Sequence, residues 1–184
     1  MRTFIAIPLP PEGHALLARL QEEMRMLHID VRWTKPSSIH ITLKFLGEIP
    51  PAMIDRLADA LRAVSTGHGP FRLCQYGIGG FPDLRNPRII WCGIEGELDR
   101  LRNLQTKVER VCADFGIPPE TRKYSPHLTL GRIQSKTNLQ HLQDYIKIAP
   151  DFEQEFAVER YHVYQSILTP QAPQYSILQT IELG

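Results

Sequence analysis

Two short stretches carry the residues most able to do chemistry. Ser37–Ile49, SSIHITLKFLGEI, contains His40-Ile41-Thr42-Leu43, and Tyr124–Ile133, YSPHLTLGRI, contains His127-Leu128-Thr129-Leu130. An imidazole and a hydroxyl two positions apart share one face of a β-strand, because successive side chains alternate. His40 and Thr42 therefore point one way and Ile41 and Leu43 the other, and the second motif repeats the division. Imidazole titrates near neutral pH, so one ring can hold a proton while its partner lacks one. Such a pair suits concerted acid–base work, with one histidine taking a proton from a nucleophile and the other giving one to a leaving group. Two threonine hydroxyls can donate hydrogen bonds to the non-bridging oxygens of a phosphate. Histidines on opposite sides of a phosphorus atom fit an in-line displacement. One His-x-Thr in a strand would be ordinary, since threonine favours strands. The matched pair is the signal.

The elements that position these residues also come twice. The histidines lie 127 − 40 = 87 residues apart. Residues 2–9 read as a strand, 11–26 as an amphipathic helix with Leu16, Leu17, Leu20 and Met24 on one face, and 31–33 as a short strand. A strand over 39–46, a helix over 51–65 and a strand over 70–81 bent at its glycines complete the first half. Residues 88–94 then read as a strand and 97–115 as a helix. They are followed by a strand over 127–133, a helix over 138–148, and strands over 156–168 and 175–183. Shifting the first half by 87 carries strand onto strand and helix onto helix. This order predicts an α+β fold. Two similar antiparallel-rich sheets with helices on one side are related by approximate two-fold symmetry. The His-x-Thr strands are expected near the join. The 184 residues form one domain, with sequence halves of about 1–87 and 88–184.

Composition narrows the setting. Apolar residues make up 42% and charged residues 22%, enough for a real core, and the net charge is +1. A protein gripping long duplex nucleic acid is usually more basic, so a nucleic-acid partner is expected over only a few nucleotides. Cys74, Cys92 and Cys112 are odd in number and show no CxxC spacing, which argues for reduced thiols. The start, MRTFIAIPLPPEG, reads as a strand rather than a signal peptide, and no apolar run is long enough to span a membrane. A cytoplasmic monomer is the expectation. There is no G-x-x-x-x-G-K-[ST], GxSxG or HExxH, and the histidines lack companions at metal-ligand spacing, so no metal or cofactor is expected.

The motifs HITLKFLGE and SPHLTLGR resemble the paired signatures of the two-histidine (2H) phosphoesterase superfamily. The flanks TFIAIPLP, RWTKPSSIHITLKFLGE, GGFPDLRNPRIIWCGI and YSPHLTLGRI are similar to bacterial RNA 2′,3′-cyclic phosphodiesterases, also called 2′-5′ RNA ligases. The resemblance implies a bilobal fold with a central cleft and no metal. It also implies hydrolysis of the 2′,3′-cyclic phosphate of an RNA end to a 2′-phosphate, with reversible 2′-5′ ligation beside it. By the same resemblance His40 is the proton donor to the leaving 3′-oxygen and His127 the base that activates water. Thr42 and Thr129 would then bind the phosphate. The turn before the last strand, Gln171-Ala172-Pro173-Gln174-Tyr175, lacks the Gly-Pro pair common in the family.

Supporting residues follow less directly. Resemblance places Arg132 near the phosphate. Its odd offset from His127 turns it to the opposite face unless the strand ends or bulges at Gly131. Lys35 and Arg122 occupy equivalent loop positions (122 − 35 = 87) and can rim the cleft for RNA. Trp33 and Tyr124 are the favoured aromatic contacts for a base, ahead of Phe81 and of Phe45, which reads as core. His14, His28, His68, His141 and His162 have no partner pattern and read as structural or exposed. Two rival functions keep the same residues: a phosphodiesterase of another cyclic nucleotide or a 2′-5′-linked oligonucleotide, and a non-catalytic module that binds RNA ends.

Overall fold

Alternation of large aliphatic with polar residues builds two sheets that each bury one face under helices. The computed structural model describes residues 1–149, 151–170 and 172–184. Its elements are β1 (Arg2–Pro8), α1 (Pro11–Arg25), β2 (Val31–Trp33), β3 (His40–Glu48), α2 (Ile54–Ser65), β4 (Phe71–Phe81), β5 (Ile89–Gly96), α3 (Leu98–Asp114), β6 (His127–Ile133), α4 (Leu139–Ile148), β7 (Glu153–Val158), β8 (Arg160–Ile167) and β9 (Gln174–Glu182). The first sheet runs β3-β1-β8-β9 and the second β2-β6-β5-β4-β7, with antiparallel neighbours throughout. The expected α+β fold of two related sheets is what forms. Under the 87-residue shift, β3-β1-β8 overlays β6-β5-β4 strand for strand.

Each sheet draws strands from both sequence halves. β4 crosses into the second sheet and β8 into the first. The helices cross as well. α1 follows β1 yet packs on the second sheet, where Gln21 Nε2 donates to the Leu130 carbonyl at 2.8 Å. α3 follows β5 yet packs on the first, where Glu109 pairs with Lys44 at 2.8 Å. α2 lies along β9 and α3, and α4 leans on α1 through Tyr145 Oη donating to Glu23 at 2.6 Å. The core between sheets and helices includes Ile5, Leu17, Ile41, Leu57, Leu101, Leu104, Leu128 and Leu130.

The single strand expected over 156–168 is instead two. β7 pairs with β4 (Phe71 opposite Val158), the chain breaks at Glu159, and β8 pairs with β1. Buried positions switch parity at that break, from Phe156 and Val158 to Tyr161 and Val163, because the inner face changes when the chain changes sheet.

Both motif strands carry a β-bulge at the same place. On β3, Thr42 lies opposite Ala6 and Lys44 opposite Ile5, leaving Leu43 extra. On β6, Thr129 lies opposite Trp91 and Gly131 opposite Ile90, leaving Leu130 extra. A bulge adds one residue and reverses the alternation beyond it. Each bulge is tied down from the helix side. Gln21 donates to the Leu130 carbonyl, and Gln105 Nε2 reaches the Leu43 carbonyl at 3.5 Å. A Cβ at Gly131 would lie 2.5 Å from Val31 Cγ1 and 3.2 Å from the Trp33 ring. Gly131→Ala is therefore expected to push β2 outward and cost about 1–3 kcal/mol, read as a lowered denaturation midpoint.

Candidate active site

The two His-x-Thr strands meet where the sheets join, since β3 and β6 are in contact. Each histidine is held the same way. His40 Nδ1 lies 2.8 Å from the Ser38 carbonyl and His127 Nδ1 lies 2.8 Å from the Ser125 carbonyl, two residues upstream in both cases. A carbonyl can only accept, so both Nδ1 atoms carry hydrogen and both Nε2 atoms are left to exchange protons. Thr42 and Thr129 follow on the same faces as their histidines, with Ile41, Leu43, Leu128 and Leu130 buried behind them.

The bulges decide what comes next along each strand. Past Gly131, Arg132 lies opposite Ile89, in line with the Trp91 and Gly93 that face Thr129 and His127. Arg132 thus shares the face of His127 and Thr129. Past Lys44, Phe45 lies opposite Phe4 and is 66% exposed. The reading of Phe45 as core is corrected here: the bulge turns it out beside Thr42, while Lys44 is buried against Glu109 and the Pro118 carbonyl. Phe45 and Arg132 are equivalent positions (132 − 45 = 87), so the two-fold is broken there by chemistry and kept in backbone.

Aromatic rings floor the cleft. His40 stacks on Phe4 with centroids 4.7 Å apart, Phe4 stacks on Tyr164 at 5.1 Å, and Tyr175 meets His40 edge-on at 5.4 Å. Ala6 lies between Pro8 and Phe4 on this face and is too short to keep the rings apart. In the second sheet Trp91 lies across Gly79, where a Cβ would come within 2.1 Å of the indole. Phe81 meets the His127 ring edge-on at 4.9 Å. Phe4 and Trp91 are equivalent under the repeat (91 − 4 = 87), a signal present in the sequence beside the motifs. Tyr164 and Tyr175 come from distant strands with no motif to mark them.

The other expected contacts are placed differently. Trp33 turns toward the helices, packs on the core and is capped by the Arg25 guanidinium 5.3 Å from its ring. Tyr124 is partly buried against the core, and its hydroxyl donates to the Thr42 carbonyl at 3.1 Å. It braces one motif against the other rather than offering a face to a base. Lys35 lines the cavity beside His40, whereas Arg122 is exposed in the loop before β6 and lies off that cavity's wall. His14, read as structural or exposed, lines the same cavity and is fixed by Nδ1 at 2.8 Å from the Pro36 carbonyl. Gln171 lies outside the described residues, while Ala172, Pro173 and Gln174 line the cavity. Among the described residues no three His, Cys, Asp or Glu side chains gather as metal ligands.

Burial disfavours the charged imidazole, and both rings feel it. His40 is pushed from 6.5 to about 4, chiefly by burial, with the neighbouring His127 and His14 adding to the fall and the Ser38 carbonyl opposing it. His127 is lowered by burial against the opposing Ser125 carbonyl. Both rings in the empty site therefore shed their protons below the usual histidine range. An anion bound against the rings would oppose that loss. The bell of kcat/KM against pH, which reports the free enzyme, is expected to lie below pH 6.5 with its acid limb near 4. The kcat bell is expected to sit at higher pH, because the bound anion holds protons on the rings. Coincident bells would contradict this coupling.

Comparison with known proteins agrees with the geometry. The LigT-like phosphoesterase family pattern matches residues 7–91 and 93–175, once per half. A protein of Aeropyrum pernix named RNA 2′,3′-cyclic phosphodiesterase is 31% identical over 167 residues, covering 90% of this chain and 94% of its own. One of the same name from Aquifex aeolicus is 31% identical over 188 residues, covering 100% and 98%. A crystal structure from Thermus thermophilus superposes with a TM-score of 0.82 at 28% identity, over 100% of this chain and 98% of that one. E. coli LigT complexed with 3′-AMP shares the fold at a TM-score of 0.80 and 23% identity, over 99% and 97%. With the doubled motif, the repeated bulge and a family match in both halves, this chain belongs to the LigT-like phosphoesterases of the 2H superfamily.

Proposed function

We propose that the protein hydrolyses the 2′,3′-cyclic phosphate of RNA ends to a 2′-phosphate, without a metal. The observation that carries this reading is the matched pair of imidazoles, each with Nδ1 committed to a carbonyl and Nε2 left for proton exchange. The RNA substrate is supported by the relatives' name. In this reading His127 Nε2 takes a proton from water, the water oxygen attacks phosphorus, and the bond to O3′ breaks in line. His40 Nε2 gives its proton to O3′, while the hydroxyls of Thr42 and Thr129 and the Arg132 guanidinium hold the non-bridging oxygens. A 5′-hydroxyl in place of water would join two ends through a 2′-5′ bond, and the same two rings serve the reverse step.

The test is multiple turnover of an oligonucleotide ending in a 2′,3′-cyclic phosphate, with excess chelator present. The expected product is the 2′-phosphate, at a rate the chelator leaves unchanged. Stoichiometric capture without product, a 3′-phosphate product, or activity restored only by a divalent ion would each overturn the reading.

A further inference from the structure

The cleft is not symmetric about the two histidines. A cavity of about 910 Å³ opens on the His40 side, and neither His127 nor Thr129 lines it. That volume exceeds what a cyclic phosphate alone requires and suits a whole nucleotide. Its walls differ in kind. Tyr164, Tyr175 and Ile177 make one side apolar, while His14, Lys35 and Ser37 make the other polar. Of this polar wall only Lys35 has a twin in kind, Arg122, because the 87-residue shift carries His14 to Leu101 and Ser37 to Tyr124. Duplication therefore does not account for His14 and Ser37, and Arg122 lies off the cavity. Lys35 forms no ion pair with the described residues. His14 has Nδ1 engaged by the Pro36 carbonyl, which leaves Nε2 as its free nitrogen.

We propose that this recess holds the terminal nucleoside together with a second phosphate on its 5′-oxygen, His14 and Lys35 binding that phosphate and the wall of two tyrosines backing the base. The proposal rests on the hydrolysis reading above, in which O3′ leaves toward His40 and its nucleoside stays on that side. A 5′-phosphate is what distinguishes an RNA end from a free nucleoside cyclic phosphate. The recess would thus make the enzyme prefer chain ends or 5′-phosphorylated nucleotides. With Nδ1–H given to the Pro36 carbonyl, His14 donates from Nε2 as the imidazolium, and two cations converging on one anion are charge-assisted donors of the stronger kind.

The experiment compares two small substrates, a nucleoside 2′,3′-cyclic phosphate with a 5′-phosphate and the same compound with a 5′-hydroxyl. The readout is the ratio of their kcat/KM values, which cancels any general loss in a variant. The wild-type ratio is expected to be about tenfold or more in favour of the 5′-phosphate. Lys35→Met and His14→Asn should each lower it, and the double variant should bring it near one. Asparagine keeps an N–H for the Pro36 carbonyl, so the loop before His40 stays anchored. A wild-type ratio near one, or a ratio that survives the double variant, overturns the proposal. If neither compound is hydrolysed, the hydrolysis reading fails by itself. Calorimetry with a nucleoside 2′-phosphate, with and without the 5′-phosphate, then decides the recess. A 5′-phosphate preference lost in the double variant supports it, and equal affinities overturn it.

Discussion

His40→Ala and His127→Ala are each expected to lower hydrolysis of a ribose 2′,3′-cyclic phosphate by about 10²- to 10⁴-fold. The two variants should part company on an activated aryl phosphodiester. A ribose alkoxide is a poor leaving group near neutral pH and needs a proton as it departs. An aryl oxide leaves unaided, so a missing general acid matters little there, while a missing general base still leaves water unactivated. With His40 as donor, His40→Ala alone should recover much of the wild-type rate on the aryl substrate. Recovery by His127→Ala instead would reverse the roles, and recovery by neither would mean that both rings mainly bind phosphate. The surroundings make His40 the more buried ring, stacked on Phe4 and pushed down to about 4. As donor, His40 must hold a proton that burial disfavours, so the charge of the bound anion is expected to supply the compensation.

Much of this arrangement was legible in the sequence because hydrophobic parity records which face is buried. The strand alternation around His40 and His127 placed both threonines correctly on the histidine faces. Parity also held clues that simple strand reading passes over. Buried residues run Ile41, Leu43 and then Leu46 on β3, and Leu128, Leu130 and then the half-buried Ile133 on β6. Each switch from a spacing of two to a spacing of three marks a bulge. Taking the switch at face value brings Arg132 and Phe45 to the cleft. The break at Glu159 shows the same switch. What no local pattern could supply is the exchange of strands and helices between halves, since it depends on which sheet edge a distant segment finds. That exchange brings Tyr164, Tyr175 and His14 to the cavity. It also explains Tyr124, whose loop position suggests exposure but which tertiary packing turns inward to the Thr42 carbonyl.

Thr42→Ala and Thr129→Ala should each reduce kcat about a hundredfold, the usual effect of removing one donor from a charge-stabilising site. The hydroxyl, not the methyl, is the expected cause, so Thr→Ser should retain most of the activity and Thr→Val should match Thr→Ala. Serine failing as badly as alanine would assign these residues to packing instead. The two positions should not be equal. Beyond its bulge, the Thr129 strand presents Arg132 on the same face, a cationic donor able to hold an oxygen that Thr129 releases. The Thr42 strand presents Phe45 at the equivalent place, and a phenyl ring donates nothing. Loss at Thr42 should therefore be the larger of the two. Arg132→Ala combined with Thr129→Ala should cost more than the product of the single effects, because each donor covers for the other when one is absent. Thr42→Ala and Phe45→Ala should multiply independently in kcat. Equal losses at the two threonines, with no coupling to Arg132, would place the guanidinium outside the phosphate's reach and leave the cleft two-fold in chemistry as well as in backbone.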